Sequence, residues 1–186
     1  MTPKLSSIKL IAFLILFSGA FGASANEEAL LPEVIKSAHP ELNRCGTAPY
    51  RKFFLKIYYA ELQTMGECAS TMDFEVPGVV TLEFTMGISQ GMLLDYIQDE
   101  WEYLETDPDK TQVWMEQLST IITDVEDEDK LALFVVPGES GTFYDADKVI
   151  GSMDDPEFHR AFAEIWLGER SRFTRQRKKL LMLENQ

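Results

Sequence analysis

Apolar residues recur with period two over residues 50–62 and 78–86, then at helical spacing over 89–122. They return to period two over 130–151 and to helical spacing from 155 to 183. Strand patterns and helix patterns therefore come in separate blocks. That segregation defines an α+β chain, an antiparallel sheet with a helical layer against one face.

Local chemistry sharpens the boundaries. Ser89 is placed to cap the helix "QGMLLDYIQDEWEYLE", on which Met92, Tyr96 and Tyr103 fall near one stripe with Leu93, Ile97, Trp101 and Leu104 beside it. Asp107 and Asp155 each precede a proline, an N-cap followed by the residue that suits the first helical position. Gly168 ends the helix that begins at Pro156, and a last helix is expected over Ser171 to Leu183. "KLALFVVPG" and "GTFYDADKVIG" read as a hairpin across Gly138 to Gly141, with a further turn at Asp145-Ala146-Asp147. "LNRCGTAPYRKFFLKIYYAEL" reads as another hairpin with its turn at Gly46 to Pro49. The three tryptophans, Trp101, Trp114 and Trp166, sit on helix stripes and are expected in the core.

The first 25 residues belong to a different class. Lys4 and Lys9 precede an apolar run from Leu10 to Phe17, and Ala23-Ser24-Ala25 has the small-x-small form of a signal peptidase site. The run is too short for a permanent membrane anchor. We expect a cleaved leader over 1–25, a short arm over 26–40 and one domain over 41–183, in the periplasm or secreted. The chain carries 17 basic and 31 acidic residues, net −14; the leader holds two of the basic ones and none of the acidic, so 15 against 31 gives −16 beyond it. Such a balance argues against nucleic acid and disfavours adhesion to anionic lipid. The basic residues gather late, in "ERSRFTRQRKK", which reads as a solvated helix face or as a strip for an acidic partner, including the acidic body of the same chain.

Chemical motifs are few. His39 and His159 stand apart, no nucleotide loop or activated-serine motif is present, and "DVEDED" lacks the glycine and terminal glutamate of a calcium loop, so no metal or cofactor is expected. Cys45 and Cys68 are the only cysteines, and an exported chain meets an oxidising compartment. Geometry weighs against pairing them: an unbroken strand over 51–62 would hold them apart by roughly 36 Å at about 3.3 Å per residue. A bend near Gly46-Thr47 or Gly66 would bring them together.

The strand "YRKFFLKIYYAEL" poses the functional question. Phe53, Leu55, Ile57 and Tyr59 form an apolar set expected to face the core. Lys52, Phe54, Lys56, Tyr58 and Ala60 form a mixed set that either meets water or floors an apolar slot with cationic rims, fit for an anionic amphiphile.

The order of "RKFFLKIYYAEL", "LEFTMGIS", "LFVVPGESGTFY", "DKVIGSMDDPEFHRAFAEIWLG" and a closing leucine-rich helix resembles the exported bacterial branch of the chalcone isomerase-like family, over residues 41–183. The resemblance implies an open-faced β-sandwich enclosing a cleft. In the plant enzymes of that family an Arg, a Thr, a Tyr and an Asn line the cleft and help a phenolate add to an unsaturated ketone; in non-catalytic members the cleft holds a fatty acid whose carboxylate an Arg grips. Carried onto this chain, the Thr position falls on Phe54, and the cleft Arg on Arg44 or Arg51. The Tyr and Asn positions fall on Tyr96 and Tyr103, or in a second alignment on Leu93 and Glu100. The resemblance thus implies a binding protein without isomerase activity, with Arg44, Arg51, Tyr58, Tyr96 and Tyr103 as ligand-binding candidates and a small amphipathic or apolar, fatty-acid-like ligand. An isomerase of unsaturated carbonyl compounds using Tyr96 or Tyr103 as donor, and a protein-interaction scaffold with a filled cleft, are the alternatives.

Overall fold

The computed structural model describes residues 29–68 and 76–183, so the expected leader lies outside the described residues. Strands β1 (Asn43–Lys52), β2 (Leu55–Thr64), β3 (Gly78–Phe84), β4 (Lys130–Val135), β5 (Gly141–Asp145) and β6 (Lys148–Met153) form one sheet in chain order. Every neighbouring pair is antiparallel. Helix α1 (Glu33–Ala38) precedes the sheet, α2 (Gln90–Leu104) and α3 (Pro108–Ile121) intervene between β3 and β4, and α4 (Pro156–Leu167) and α5 (Thr174–Leu180) follow β6. The α+β class expected from the sequence is the class observed.

The helix starts follow the sequence reading. The Ser89 hydroxyl accepts from the Met92 amide at 3.4 Å, Asp107 from Asp109 at 3.0 Å, and Asp155 from Glu157 at 2.9 Å. Each satisfies one of the amides left over in a first helical turn. Asp155 also accepts the Trp114 indole N–H at 2.8 Å, which ties α3 to the start of α4. The last helix is shorter than expected. It opens only at Thr174, because the Ser171 hydroxyl donates to the Ile165 carbonyl and holds the preceding residues in a turn.

The first hairpin differs from the sequence reading. Its turn lies at Phe53-Phe54, closed by the Lys52–Leu55 pair, and not at Gly46–Pro49. Gly46 sits instead in a register shift between Arg44 and Thr47, where a Cβ would come within 2.0 Å of the Lys179 carbonyl oxygen, so the glycine lets α5 lie on β1. Pro49 is tolerated because β1 is an edge strand. The chain reverses at residue 53, so both ends of the hairpin meet. Cys45 and Cys68 form a disulfide with Cα atoms 5.5 Å apart. The expected separation of the two cysteines is thereby corrected: it rested on an unbroken strand over 51–62.

The phase of β2 is also corrected. Tyr58, Ala60 and Leu62 are buried toward the helices, whereas Phe53 and Leu55 are exposed. The mixed set therefore supplies the helical face. Val80, Leu82 and Phe84 join it from β3, and Trp101, Trp114, Phe158, Phe162 and Trp166 pack over them. The β3 strand, whose period-two pattern suits one buried face, is covered on both sides. Leu31 and Ile35 pack with Val79, Ala132 and Phe134 on the reverse face.

Candidate functional site

Between the sheet and α2 lies a cavity of about 310 Å³. Its floor is the cross-strand pair Tyr50 and Tyr58, whose rings stack at 4.9 Å. A bulge between these residues and the Arg51–Lys56 pair leaves Ile57 without a partner, and Ile57 joins Tyr58 in the lining. Met92, Leu93, Tyr96 and Glu100 come from α2, and Arg172 and Phe173 close the side from the turn before α5. Phe173 meets Tyr50 edge-on at 4.9 Å. A further apolar hollow of about 20 Å³ lies deeper and shares Tyr58, Leu93 and Tyr96 with the outer cavity. The two tyrosines form the partition, their hydroxyls 3.4 Å apart.

The polar groups fall into two sets. The Tyr58 hydroxyl accepts the Trp166 indole N–H at 3.0 Å. Tyr50 is only 2% exposed, and among the described residues its hydroxyl is the one buried side-chain polar atom with no hydrogen-bond partner. At the rim, Arg172 Nε lies 3.0 Å from Glu100 Oε2. Burial pushes all three tyrosines above their ordinary range. They stand in the cavity as neutral hydroxyls, able to donate to an oxygen but poor at releasing a proton near neutral pH. Glu100 is also raised, chiefly by desolvation, with Arg172 opposing and Asp99 adding to the effect.

Arg51, Tyr58 and Tyr96 lie in this lining. Arg44 does not. It lies on the reverse face, with Nε 2.7 Å from Oε2 of the buried Glu61, which also accepts the Leu30 amide and the Gln63 side chain. Tyr103 lies outside as well, half exposed, with the Arg172 guanidinium 4.2 Å over its ring. Leu93 and Glu100, from the second alignment, line the cavity in its place. Phe54, assigned to the Thr position, stands at the hairpin tip and is 85% exposed. The absence of a hydroxyl there therefore has no bearing on the cavity, which carries its own. Sequence reasoning missed Tyr50 and Phe173 because their placement depends on the turn at residue 53 and on the late start of α5. It missed Arg172 because that residue lies within a basic run. Part of that run meets the protein's own acids: Arg172 pairs with Glu100, and Arg170 with Glu105 at 2.7 Å.

A larger groove of about 740 Å³ runs between α3 and β6, broad and open to solvent. Among the described residues no cluster of His, Cys, Asp and Glu could hold a metal ion, and no helix is long and apolar enough to cross a membrane.

An antiparallel sheet with α2 to α5 on one face and a largely apolar, hydroxyl-floored cavity between them is the architecture of an open-faced cleft protein. The profile of the chalcone isomerase-like family matches residues 23–182, and the chain belongs to that family. Among solved structures, it is similar to a fatty-acid binding protein of Arabidopsis thaliana, with a TM-score of 0.63 and 10% identity over 76% of this chain and 87% of that one. At that identity the likeness shows the fold. No curated protein sequence matches the chain.

Proposed function

We propose that this is an exported cleft protein that binds a small amphipathic ligand without transforming it. The observation that carries this reading is the unpartnered buried hydroxyl of Tyr50, a residue that lines a largely apolar cavity with charged groups at its rim. A buried donor without an acceptor is unfavourable by roughly 1–3 kcal/mol, and a ligand oxygen would supply what it lacks. Arg172, part-exposed at the rim, is a cation within reach of an acid head group beside the lining residues Arg51 and Lys52, and the apolar walls take the ligand's body. Neutral, hard-to-ionise tyrosines favour holding a ligand over proton transfer. The fatty-acid binding protein that shares the fold supports the same ligand class. The volume bounds its size: at roughly 30 Å³ per water-sized group the outer cavity holds about ten non-hydrogen atoms, a medium-length chain. Export is supported by the leader pattern and by the Cys45–Cys68 disulfide, which needs an oxidising compartment to persist.

Calorimetric titration with octanoate, decanoate and palmitate tests the reading. Saturable binding that favours the medium chains is expected. A flat titration with all three would refute the ligand class, and rapid cyclisation of a chalcone would refute the non-catalytic role.

A further inference from the structure

The tip of the β1–β2 hairpin is unlike the rest of the surface. Phe53 is 90% exposed, Phe54 85% and Leu55 50%. The turn does not require these residues. Phe53 has φ 57°, in the left-handed region that glycine or asparagine enters more cheaply. Two aromatic rings are thus held in water at a position whose backbone favours a small residue.

The charge around the tip also runs against the whole. In a chain of net charge −14, no acidic residue occurs between Glu41 and Glu61, and that stretch holds Arg44, Arg51, Lys52 and Lys56. Arg51 and Lys52 are exposed beside the aromatic pair, and among the described residues neither forms an ion pair. Lys56 is half-buried, its ammonium 2.7 Å from the Tyr59 hydroxyl.

We propose that this tip docks the protein on an anionic phospholipid surface, with Phe53 and Phe54 entering the interfacial layer and Arg51 and Lys52 meeting the head groups. Aromatic rings suit the level between head groups and acyl chains, and each nearby cation adds attraction to an anionic leaflet. The acidic body is repelled by the same surface, so the hairpin approaches tip first. Two rings and two cations make a weak and reversible contact. The docking stands apart from the ligand reading, but one consequence rests on it. Arg51, Lys52 and Ile57 also line the cavity, so a docked tip would set the cavity mouth at the lipid surface, where an amphipathic ligand could exchange.

Flotation with vesicles of phosphatidylcholine alone, and of phosphatidylcholine mixed with phosphatidylglycerol, tests the docking. The wild-type chain should float with the mixed vesicles and much less with the neutral ones. F53S/F54S should lose about tenfold in partition while keeping the wild-type melting temperature, since both side chains lie in solvent. In an F53W variant, brominated phosphatidylcholine in the mixed vesicles should quench the new indole. Failure of the wild type to float with either vesicle would overturn the proposal. So would equal flotation of F53S/F54S, or an unquenched F53W bound to vesicles. None of these outcomes depends on whether decanoate binds.

Discussion

Arg172 Nε and Glu100 Oε2 lie 3.0 Å apart at the cavity rim, with the Glu100 side chain 4% exposed and that of Arg172 42%. The carboxylate has lost more hydration than the half-solvated guanidinium restores, and its pKa rises above 4.5. A carboxyl with a raised folded pKa holds its proton more tightly in the folded protein. The stability this supplies is present below the unfolded pKa and is lost as pH rises through the folded pKa. Glu100→Gln mimics the protonated form. It should melt above wild type at neutral pH, with the gap closing as pH falls toward about 4.5; melting curves of both proteins across that range read it. A variant that melted below wild type at neutral pH, with the deficit closing on acidification, would show that Arg172 outweighs desolvation.

Arg44 was expected as a cation of the ligand site and Arg172 was not, but the structure sets Arg44 on the reverse face and Arg172 at the cavity rim. Arg44 neutralises the buried Glu61 on the reverse face, with 32% of its own side chain exposed. Arg44→Ala should destabilise by about 3 kcal/mol, the low end for breaking a buried pair, with decanoate affinity within about twofold of wild type. Arg172→Ala should lower decanoate affinity by about tenfold, the loss of one charge-assisted contact. Denaturant titration and calorimetry on both variants give the comparison. Equal affinity losses would place both arginines in one network.

Tyr50 and ligand binding should respond with opposite signs. Removing an unpaired buried hydroxyl relieves the free protein, so Tyr50→Phe should gain about 1 kcal/mol of stability. The same change removes a donor from the cavity and should weaken decanoate binding several-fold. A variant that gained stability and bound as well as wild type would leave the hydroxyl without a role in recognition.

The two partition tyrosines differ in what they hold. Tyr58→Phe strands the buried Trp166 indole N–H, which donates to that hydroxyl at 3.0 Å. A loss of about 1–3 kcal/mol is expected. Tyr96→Phe breaks only the longer 3.4 Å contact and should fall within about 0.5 kcal/mol of wild type. Chemical denaturation ranks them; the reverse order would mean that Trp166 finds another acceptor.

The legible parts of this fold were those where a local rule acts alone. Ser89, Asp107 and Asp155 cap helices by contacts within two or three residues, and the Gly138–Gly141 turn is marked by its own glycines. The first hairpin was not legible, because Phe53-Phe54 lacks any turn residue while Gly46 and Pro49 imitate one. From that slip followed the phase of β2 and the cysteine pairing. Arg51, Tyr58 and Tyr96 come together at the cavity, since strand and helix place them locally. Arg44 and Tyr103 fall outside because a shift in register turns the first to the reverse face and a place about two helical turns beyond Tyr96 carries the second past the cavity. Tyr50 and Arg172 needed the tertiary structure: one depends on its cross-strand partner, the other on α5 folding back over β1.

The Cys45–Cys68 disulfide closes the open end of that hairpin, 23 residues apart in sequence. It limits the unfolded chain, and for a loop of this length the expected contribution is about 3 kcal/mol. It also lies beside Gly46, where α5 rests on β1 with no room for a side chain. Loosening this end of the sheet should therefore loosen α5 and, through it, the Phe173 wall of the cavity. C45A/C68A should melt on the order of 10 °C below wild type. Hydrogen exchange should quicken in β1 and α5 before it quickens in β4 and β5, which lie away from the bridge in the sheet. Uniform acceleration across all strands would show that the bridge acts only on the unfolded chain and leaves the α5 contact as it was.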